Sequence, residues 1–564
     1  MIARPASKSA RSWRRRIFSP TGFTLVGLLL FLAFSSALPL GKLLARGATA
    51  DAFGWVLENS QSLRALGNTV RVSLAAALLA TGFGTLLSLL LERFRVPGGP
   101  VLRLTIMLPL VIPPHILALA WLSWLGQAGY LSRLVANLLG LERVPWSLYG
   151  EPGIVLLLTV FALPVAYLTV SAGLKRLPGN VYEAAQLEGA SSWQITRHIV
   201  LPLLRPHLLA ALMLTFLAGA GNFGITALLG IPGRFITLPT LIYQRVTSFA
   251  SGGLGQAGAL AILLGLAATV ALLVQYRLNR DSTHFETHLD QVHKLPLAGT
   301  WRWLAVLAWL AALLMAVGPF LALVLNSFMR TYGLPLEPAS FDLRHYRFVL
   351  TELQSFPRAL GNSLLLATVA SAVTAGLATL LGYVLLRLKR AAWALQLLVD
   401  LPYALPGIVF GLSMILAWLP SPLPFMRVYG TLWLLGIAYV GHYLAFALQP
   451  IQAAWRQLDP KLEEAAQLDG ANLLQSIRWV LFPMLAPTVL VATLLVFLNA
   501  VSEISLSALL AGSGTETLGW LIFGLEQAGT GQQAAALSVI LLLILGVAGL
   551  LAYGLGRWRV RRAA

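Results

Sequence analysis

Twelve apolar runs, each long enough to cross a bilayer, constrain this chain more than any other feature. They fall near 21–44, 68–91, 104–125, 152–173, 207–230 and 256–276, and again near 301–327, 362–386, 394–418, 430–452, 487–511 and 534–556. A chain with so many such runs folds as an all-α integral membrane protein, because lipid leaves backbone amides no partner outside a helix or a closed barrel. Composition agrees, with 58% hydrophobic and only 11% charged residues. The first run, from Thr21 to about Leu44, exceeds a secretory signal core and reads as a retained helix.

The net charge of +19 does not point to nucleic acid, because the basic residues sit where they orient membrane helices. Arg11, Arg14, Arg15 and Arg16 precede the first run and Arg557, Arg559, Arg561 and Arg562 come after the last. An even number of crossings puts both termini on one side, and the positive-inside rule makes that side the cytoplasm. The reading is a basic tail 1–20, a first half 21–276, a cytoplasmic linker 277–300, a second half 301–556 and a basic tail 557–564. No cysteine is present, which excludes disulfides, thiol catalysis and iron–sulfur ligation.

The halves repeat. Residues 183–206, EAAQLEGASSWQITRHIVLPLLRP, align without gaps on 464–487, EAAQLDGANLLQSIRWVLFPMLAP, at an offset of 281 with 12 of 24 positions identical. Gly67-Asn68 matches Gly361-Asn362, and Pro109 and Pro113 match Pro402 and Pro406. Six helices per half make the copies parallel repeats about an axis along the membrane normal, with a path at their interface.

Each repeated segment joins the fourth and fifth helices of its half on the cytoplasmic side. Glu183, Ala184 and Ala185 favour a short helix, and Gly189 supplies a left-handed turn that a Cβ would resist. A second short helix runs from about Ser191 to Val200, after which Pro202 and Pro206 stop it and launch the next span. Glu464, Ala465, Ala466, Gly470, Pro483 and Pro487 repeat the arrangement. One such segment would be ordinary helix punctuation; two at matched places form a pair of knobs suited to two copies of a soluble partner.

These segments resemble the EAA loop of binding-protein-dependent ABC importer permeases, whose pattern is E-A-A, three residues, G and later L-P; only Phe482, where the first copy has Leu201, departs from it. The resemblance implies the ABC importer permease fold, two cytoplasmic ATPase subunits docked on the loops, and a periplasmic binding protein that delivers substrate. The chain carries no G-x-x-x-x-G-K-[ST] phosphate loop, so ATP and Mg belong to the partner ATPase; no cofactor, resident metal or catalytic residue is expected in this chain.

The segments GNFGITALLGIPGRFITLPTLIY (221–243) and SEISLSALLAGSGTETLGWLIF (502–523) are similar to those of fused ferric-iron permeases, with thiamine, phosphonate and polyamine permeases as relatives. Fe(III) is therefore the expected cargo. Glu503 reads as lying within the eleventh helix, where an unpaired acid costs roughly 2.5–3.5 kcal/mol, so it should face the path; Asn222 stands at the same offset in the first half. Glu503 would offer a cation a hard oxygen and Asn222 a neutral one, the alternative for each being a structural hydrogen bond.

Pro109, Pro113, Pro402 and Pro406 read as kinks and candidate hinges. His284 and His288, near Asp281 and His293, could share a helix face and bind a transition metal, yet they fall in the linker, where solvated chain is the plainer reading. His115 and His442 stand singly in or beside spans and read as packing or hydrogen-bonding residues. An ion-coupled carrier would leave the paired loops unexplained, and a membrane enzyme would need a catalytic set that the helices lack.

Overall fold

A computed structural model describes residues 20–177, 184–248, 250–279, 299–387, 392–419 and 427–563, with isolated residues 294, 296 and 297 of the linker. Within these residues the chain is helical, and its one β-type contact is an isolated antiparallel bridge between Met329 and Phe341. Nine of the described helices are long and apolar enough to cross a membrane, and three bent helix pairs raise the number to twelve if each pair is one crossing. Glu183, Asp281, His284, His288 and His293 lie outside the described residues.

The chain divides into two compact units. One contains Gly47–Pro357 and Leu518–Leu543; the other contains residues 20–46, Arg358–Thr517 and the chain from Ile544 onward. The repeat boundaries at 21–276 and 301–556 divide the sequence, and these units divide the contacts; the two partitions differ at the first helix of each half and at Leu518–Leu543.

In the unit built around Gly47–Pro357, the helix Ser60–Arg93 packs along Glu151–Leu174, and Arg205–Ala220 lies against both. The reason is a stripe of small residues. Ser73, Ala76, Ala77, Ala80, Gly84 and Ser88 are buried at helical spacing, while Leu78, Leu79, Phe83 and Leu86 on the other face are exposed for lipid. Between membrane helices, small residues let backbones approach where bulky ones would hold them apart. A Cβ added to Gly84 would stand 2.8 Å from the Ala166 Cβ. Thr300–Phe328 belongs to this unit as well: Trp309 Nε1 donates to Pro97 O at 3.2 Å and Asn326 Nδ2 to Ser123 Oγ at 3.1 Å.

The other unit uses the same device. Ala367, Ala370, Ser371, Thr374, Ala375 and Ala378 line the buried face of Ser355–Arg387, and Gly382 admits the Trp455 ring. The first span, Val26–Gly47, reaches this unit through Ser36, whose hydroxyl donates to Leu398 O at 2.6 Å, and through Phe34, whose ring lies 6.0 Å from that of Trp418.

The third and ninth runs are not continuous helices. Gly99–Val111 and Pro114–Leu139 meet at 112°, and Ala392–Ala404 and Gly407–Trp418 at 111°. Proline disfavours helical geometry in the residue before it, and Ile112, which precedes Pro113, is extended at φ −90° and ψ 128°. Pro109 and Pro402 lie inside the leading helices, whereas Pro113 and Pro406 stand at the breaks, so the expected kinks are sharp bends. His442 serves the bend of its unit, its Nδ1 lying 2.8 Å from Pro402 O. His115 is fully buried and packs against Gly224.

Candidate coupling and translocation site

The two repeated loops close with the same backbone geometry. Gly189 and Gly470 adopt φ of +81° and +84°, the left-handed conformation expected for them. In the first loop Ala190 N donates to Ala185 O and Gly189 N to Gln186 O, each at 3.0 Å; in the second, Ala471 N donates to Ala466 O and Gly470 N to Gln467 O, again at 3.0 Å. This nested pair of bonds satisfies the last carbonyls of a helix and requires a left-handed residue at its end. No atom lies within 4 Å of a Cβ added at either glycine, so a substitution there meets backbone strain rather than a clash.

The next short helix is started by a device that reading the sequence for periodicity misses. Gln194 N donates to Ser191 Oγ at 3.3 Å while Ser191 N donates to Gln194 Oε1 at 2.8 Å. Asn472 and Gln475 repeat the exchange at 2.9 and 2.8 Å. A Ser or Asn followed three residues later by Gln is a capping box, and it is legible in both copies. Leu187 and Leu468, matched at the offset of 281, are each 88% exposed, and Trp193 and Trp479 are also exposed on these loops. These large apolar side chains stand outward at matched places on otherwise polar loops.

Polar anchors tie each loop to the preceding helices. Arg93 Nη1 donates to Thr196 Oγ1 at 2.9 Å. In the second copy Arg387 pairs with Glu463, which also accepts from Tyr383 Oη at 3.1 Å and Gln467 Nε2 at 3.3 Å. Glu92, one residue before Arg93, accepts from Ser171 at 2.9 Å, Tyr167 at 3.1 Å and Arg103 at 3.2 Å.

Downstream, each copy has a wide turn closed by a bond from Leu201 N to Thr196 O or from Phe482 N to Ile477 O. The copies then diverge. Trp193–Leu203 and Arg205–Ala220 meet at 66°, whereas Ile477–Val501 runs as one span with Pro487 inside it. The expectation that these prolines stop a helix is corrected in both copies: Pro202 and Pro483 each lie inside the helical stretch, Pro487 lies within Ile477–Val501, and only Pro206, in the first turn of Arg205–Ala220, stands at a bend, which falls at Leu204. Pro483 falls in the first turn after the wide turn, where a missing amide is tolerated.

The expected placement of Glu503 within a helix is corrected. The fifth helix of each half ends early, at Ala220 and at Val501, and a new short helix begins at Phe223 and at Ser507. Asn222 and Glu503 occupy the breaks. Asn222 Oδ1 accepts from Ile225 N at 2.9 Å; Glu503 accepts from Leu506 N at 2.9 Å through both oxygens and from Ser507 N at 3.1 Å through Oε2. A helix start leaves amides without partners, and in a buried place a side-chain oxygen must satisfy them. Both residues are buried, at 7% and 8% exposure.

A second matched pair steadies the chain beyond these breaks. Asn68 Nδ2 donates to Ile236 O at 2.9 Å, and Asn362 Nδ2 donates to Glu516 O at 2.9 Å. The Gly-Asn repeat at 67–68 and 361–362 thus fastens the second helix of each half to the segment past the short helix. Among the described residues no cluster of three or more His, Cys, Asp or Glu is placed to hold a metal.

A helical membrane chain with two matched, capped and outward-facing loops is a transport component built from a duplicated unit. The family of binding-protein-dependent transport system inner membrane components matches residues 80–284 and again 353–564, and the chain belongs to that family. It is a multi-pass inner membrane protein. It is similar to a probable ABC transporter permease of Sinorhizobium fredii, 29% identical over 94% of each chain. It is also similar to the ferric transport system permease protein FbpB of Actinobacillus pleuropneumoniae, 24% identical over 87% of this chain and 71% of that one. The molybdenum transport system permease ModB of Escherichia coli is 29% identical over 38% of this chain and 92% of its own length.

Proposed function

We propose that the chain is the translocating subunit of an ATP-driven importer and that its cargo is Fe(III) handed over by a periplasmic binding protein. The observation that carries the importer reading is the pair of loops at the offset of 281, each fixed by a left-handed glycine and a capping box and each presenting an exposed leucine. Such a pair fits two copies of one soluble ATPase. That partner would bind ATP and Mg, this chain no cofactor, and Glu183, Ala184, Ala185, Glu464, Ala465 and Ala466 would stand at the contact.

In this reading both termini are cytoplasmic, as the basic flanks favour. Asn222 and Glu503 border the path, and the bends at Pro109 to Pro113 and Pro402 to Pro406 are where the path changes shape. Support for iron comes from the relatives named for ferric transport, at 24–25% identity over most of this chain. Thiamine, polyamine or phosphonate would use the same machinery, and the relative named for molybdenum transport adds molybdenum to the alternatives.

The test is uptake of labelled ferric iron into proteoliposomes holding this chain, its ATPase and its binding protein. Iron accumulation that requires internal ATP is expected. ATP-dependent uptake of thiamine in place of iron would replace the cargo, and uptake without any ATPase would overturn the importer reading.

A further inference from the structure

The flank of the first coupling loop is covered by the chain that leads into the second half. Lys294, near the end of the linker, donates from Nζ to Leu91 O at 2.6 Å, and Arg103 Nη2 donates to the same oxygen at 3.0 Å. Leu91 lies in the last turn of Ser60–Arg93, where helical carbonyls have no amide of their own and the helix dipole favours a cation. Trp301 lies 4.5 Å from the Phe94 ring and packs against a core cluster that contains Leu89, Leu174 and Val200, with Leu177 beside them.

The matched flank of the second loop is a cavity. The copies are related by an offset of 294 along the second helix and of 281 along the loop, so Leu89, Leu174, Leu177 and Val200 correspond to Tyr383, Trp455, Leu458 and Leu481. All four line a cavity of about 630 Å³. The surface that Trp301 covers in one copy is therefore the wall of a hollow in the other. Leu91 corresponds to Leu385, in the last turn of Ser355–Arg387, and no side chain among the described residues donates to its carbonyl. Gln396, which the offset of 293 between Pro109 and Pro402 puts in the place of Arg103, donates to Asp400 instead, at 3.0 and 3.1 Å. The cavity wall also holds three acids, Asp459, Glu463 and Glu464, against two bases, Arg387 and Arg456. Glu463 is paired with Arg387, while Asp459 and Glu464 are exposed and take part in no ion pair among the described residues.

The first helix of each half gives the register of an occupant. Each contains one wide turn, at Ala33–Ala37 and at Leu313–Val317, an offset of 280 that puts Arg14 in the place of Lys294. Residues 1–19 carry Arg4, Lys8, Arg11, Arg14, Arg15 and Arg16 and no acid, which suits a wall with an excess of carboxylates. Trp13, Ile17 and Phe18 stand among them and supply apolar bulk of the kind that Trp301 supplies to the first loop. Arg14 comes six residues before Pro20, where the described chain begins, a reach of up to about 20 Å. The first span and the cavity belong to the same compact unit.

We propose that the basic segment before the first span docks in this cavity, Arg14 donating to Leu385 O and its basic neighbours facing Asp459 and Glu464. Each coupling loop is then braced by the chain that leads into a half, the first by the linker and the second by the tail. The docking is independent of the cargo and needs only that tail and loop share a side of the membrane, as they do in the topology above.

The chain has no cysteine, so nitroxide labels attach only where cysteines are introduced. The full chain, in nanodiscs of neutral lipid and without ATPase, is labelled at Arg15→Cys and Arg456→Cys. A reference sample is labelled at the matched Leu295→Cys and Lys175→Cys, the first beside the anchored Lys294 and the second at a lysine 3.7 Å from Glu92, next to Leu91. Pulsed electron resonance should give both pairs a narrow distance distribution. Arg14→Glu should broaden the first about twofold, toward the spread of a flexible linker, and leave the reference as it is. A broad distribution for the first pair beside a narrow reference overturns the docking. A distribution that narrows only when the ATPase is added also overturns it, because the cavity then belongs to the partner. A narrow distribution that Arg14→Glu leaves unchanged removes Arg14 as the anchor and the register with it. None of these outcomes bears on the importer reading, which the uptake experiment decides.

Discussion

Asn222 and Glu503 do the same structural work with different charge. Each stands at the break after the fifth helix of its half, and each supplies an oxygen to the first amides of a short buried helix. The neutral copy shows that capping needs an acceptor and does not need a charge. The ionisable group at 503 therefore goes beyond what the fold asks of it, and function is the place to look for the excess. A carboxylate accepts more strongly than a carboxamide, which accounts for some of the difference, since Glu503 serves two amides where Asn222 serves one.

The largest effect that would break this comparison is loss of the acceptor. Glu503→Ala leaves two buried amides without partners, a cost of about 2–6 kcal/mol at roughly 1–3 kcal/mol each. Asn222→Ala should cost about 1 kcal/mol, in line with a single cap. Thermal unfolding in detergent checks both, and equal destabilisation would show that the second oxygen of Glu503 is idle.

Glu503→Gln sharpens the comparison, because it keeps an acceptor and removes the charge. Unfolding should shift by less than about 1 kcal/mol, while ATP-driven cation uptake falls about tenfold. Undiminished uptake would make Glu503 a cap and nothing more.

The coupling loops test the comparison least directly. Valine at Gly189 or Gly470 meets no neighbour and costs only the left-handed penalty of about 1–2 kcal/mol. The loop would nonetheless re-aim Leu187 or Leu468, so ATPase stimulation and uptake should fall while the chain still inserts. Normal coupled ATPase activity in the double variant would separate these glycines from partner binding.

Much of this arrangement is legible in the residues alone. Long apolar runs mark the spans, Gly189 and Gly470 the left-handed turns, and Pro113 and Pro406 the places where helices part. The breaks at 222 and 503 are hidden because hydropathy stays high across them, from Leu217 to Ile225 and from Val501 to Ile504. Asn222 after Gly221 is a readable stop and start; Glu503 is not, because glutamate is an uncommon cap. A cavity of about 340 Å³ lined by Ser123, Tyr149, Asn326 and Glu526 is illegible for another reason: no local pattern encodes so distant a meeting.

The reach of the first span has a consequence for how the chain is made. Ser36 and its acceptor Leu398 are separated by 362 residues. At roughly 5–20 residues per second, the ribosome needs about 20–70 s to cover that interval. Throughout it, the span waits in the bilayer without the acceptor that Ser36 finally takes, long after its own helical hydrogen bonds have formed. Biogenesis of this chain is thus a scheduling problem, in which a segment made early waits for a seat that is made 362 residues later.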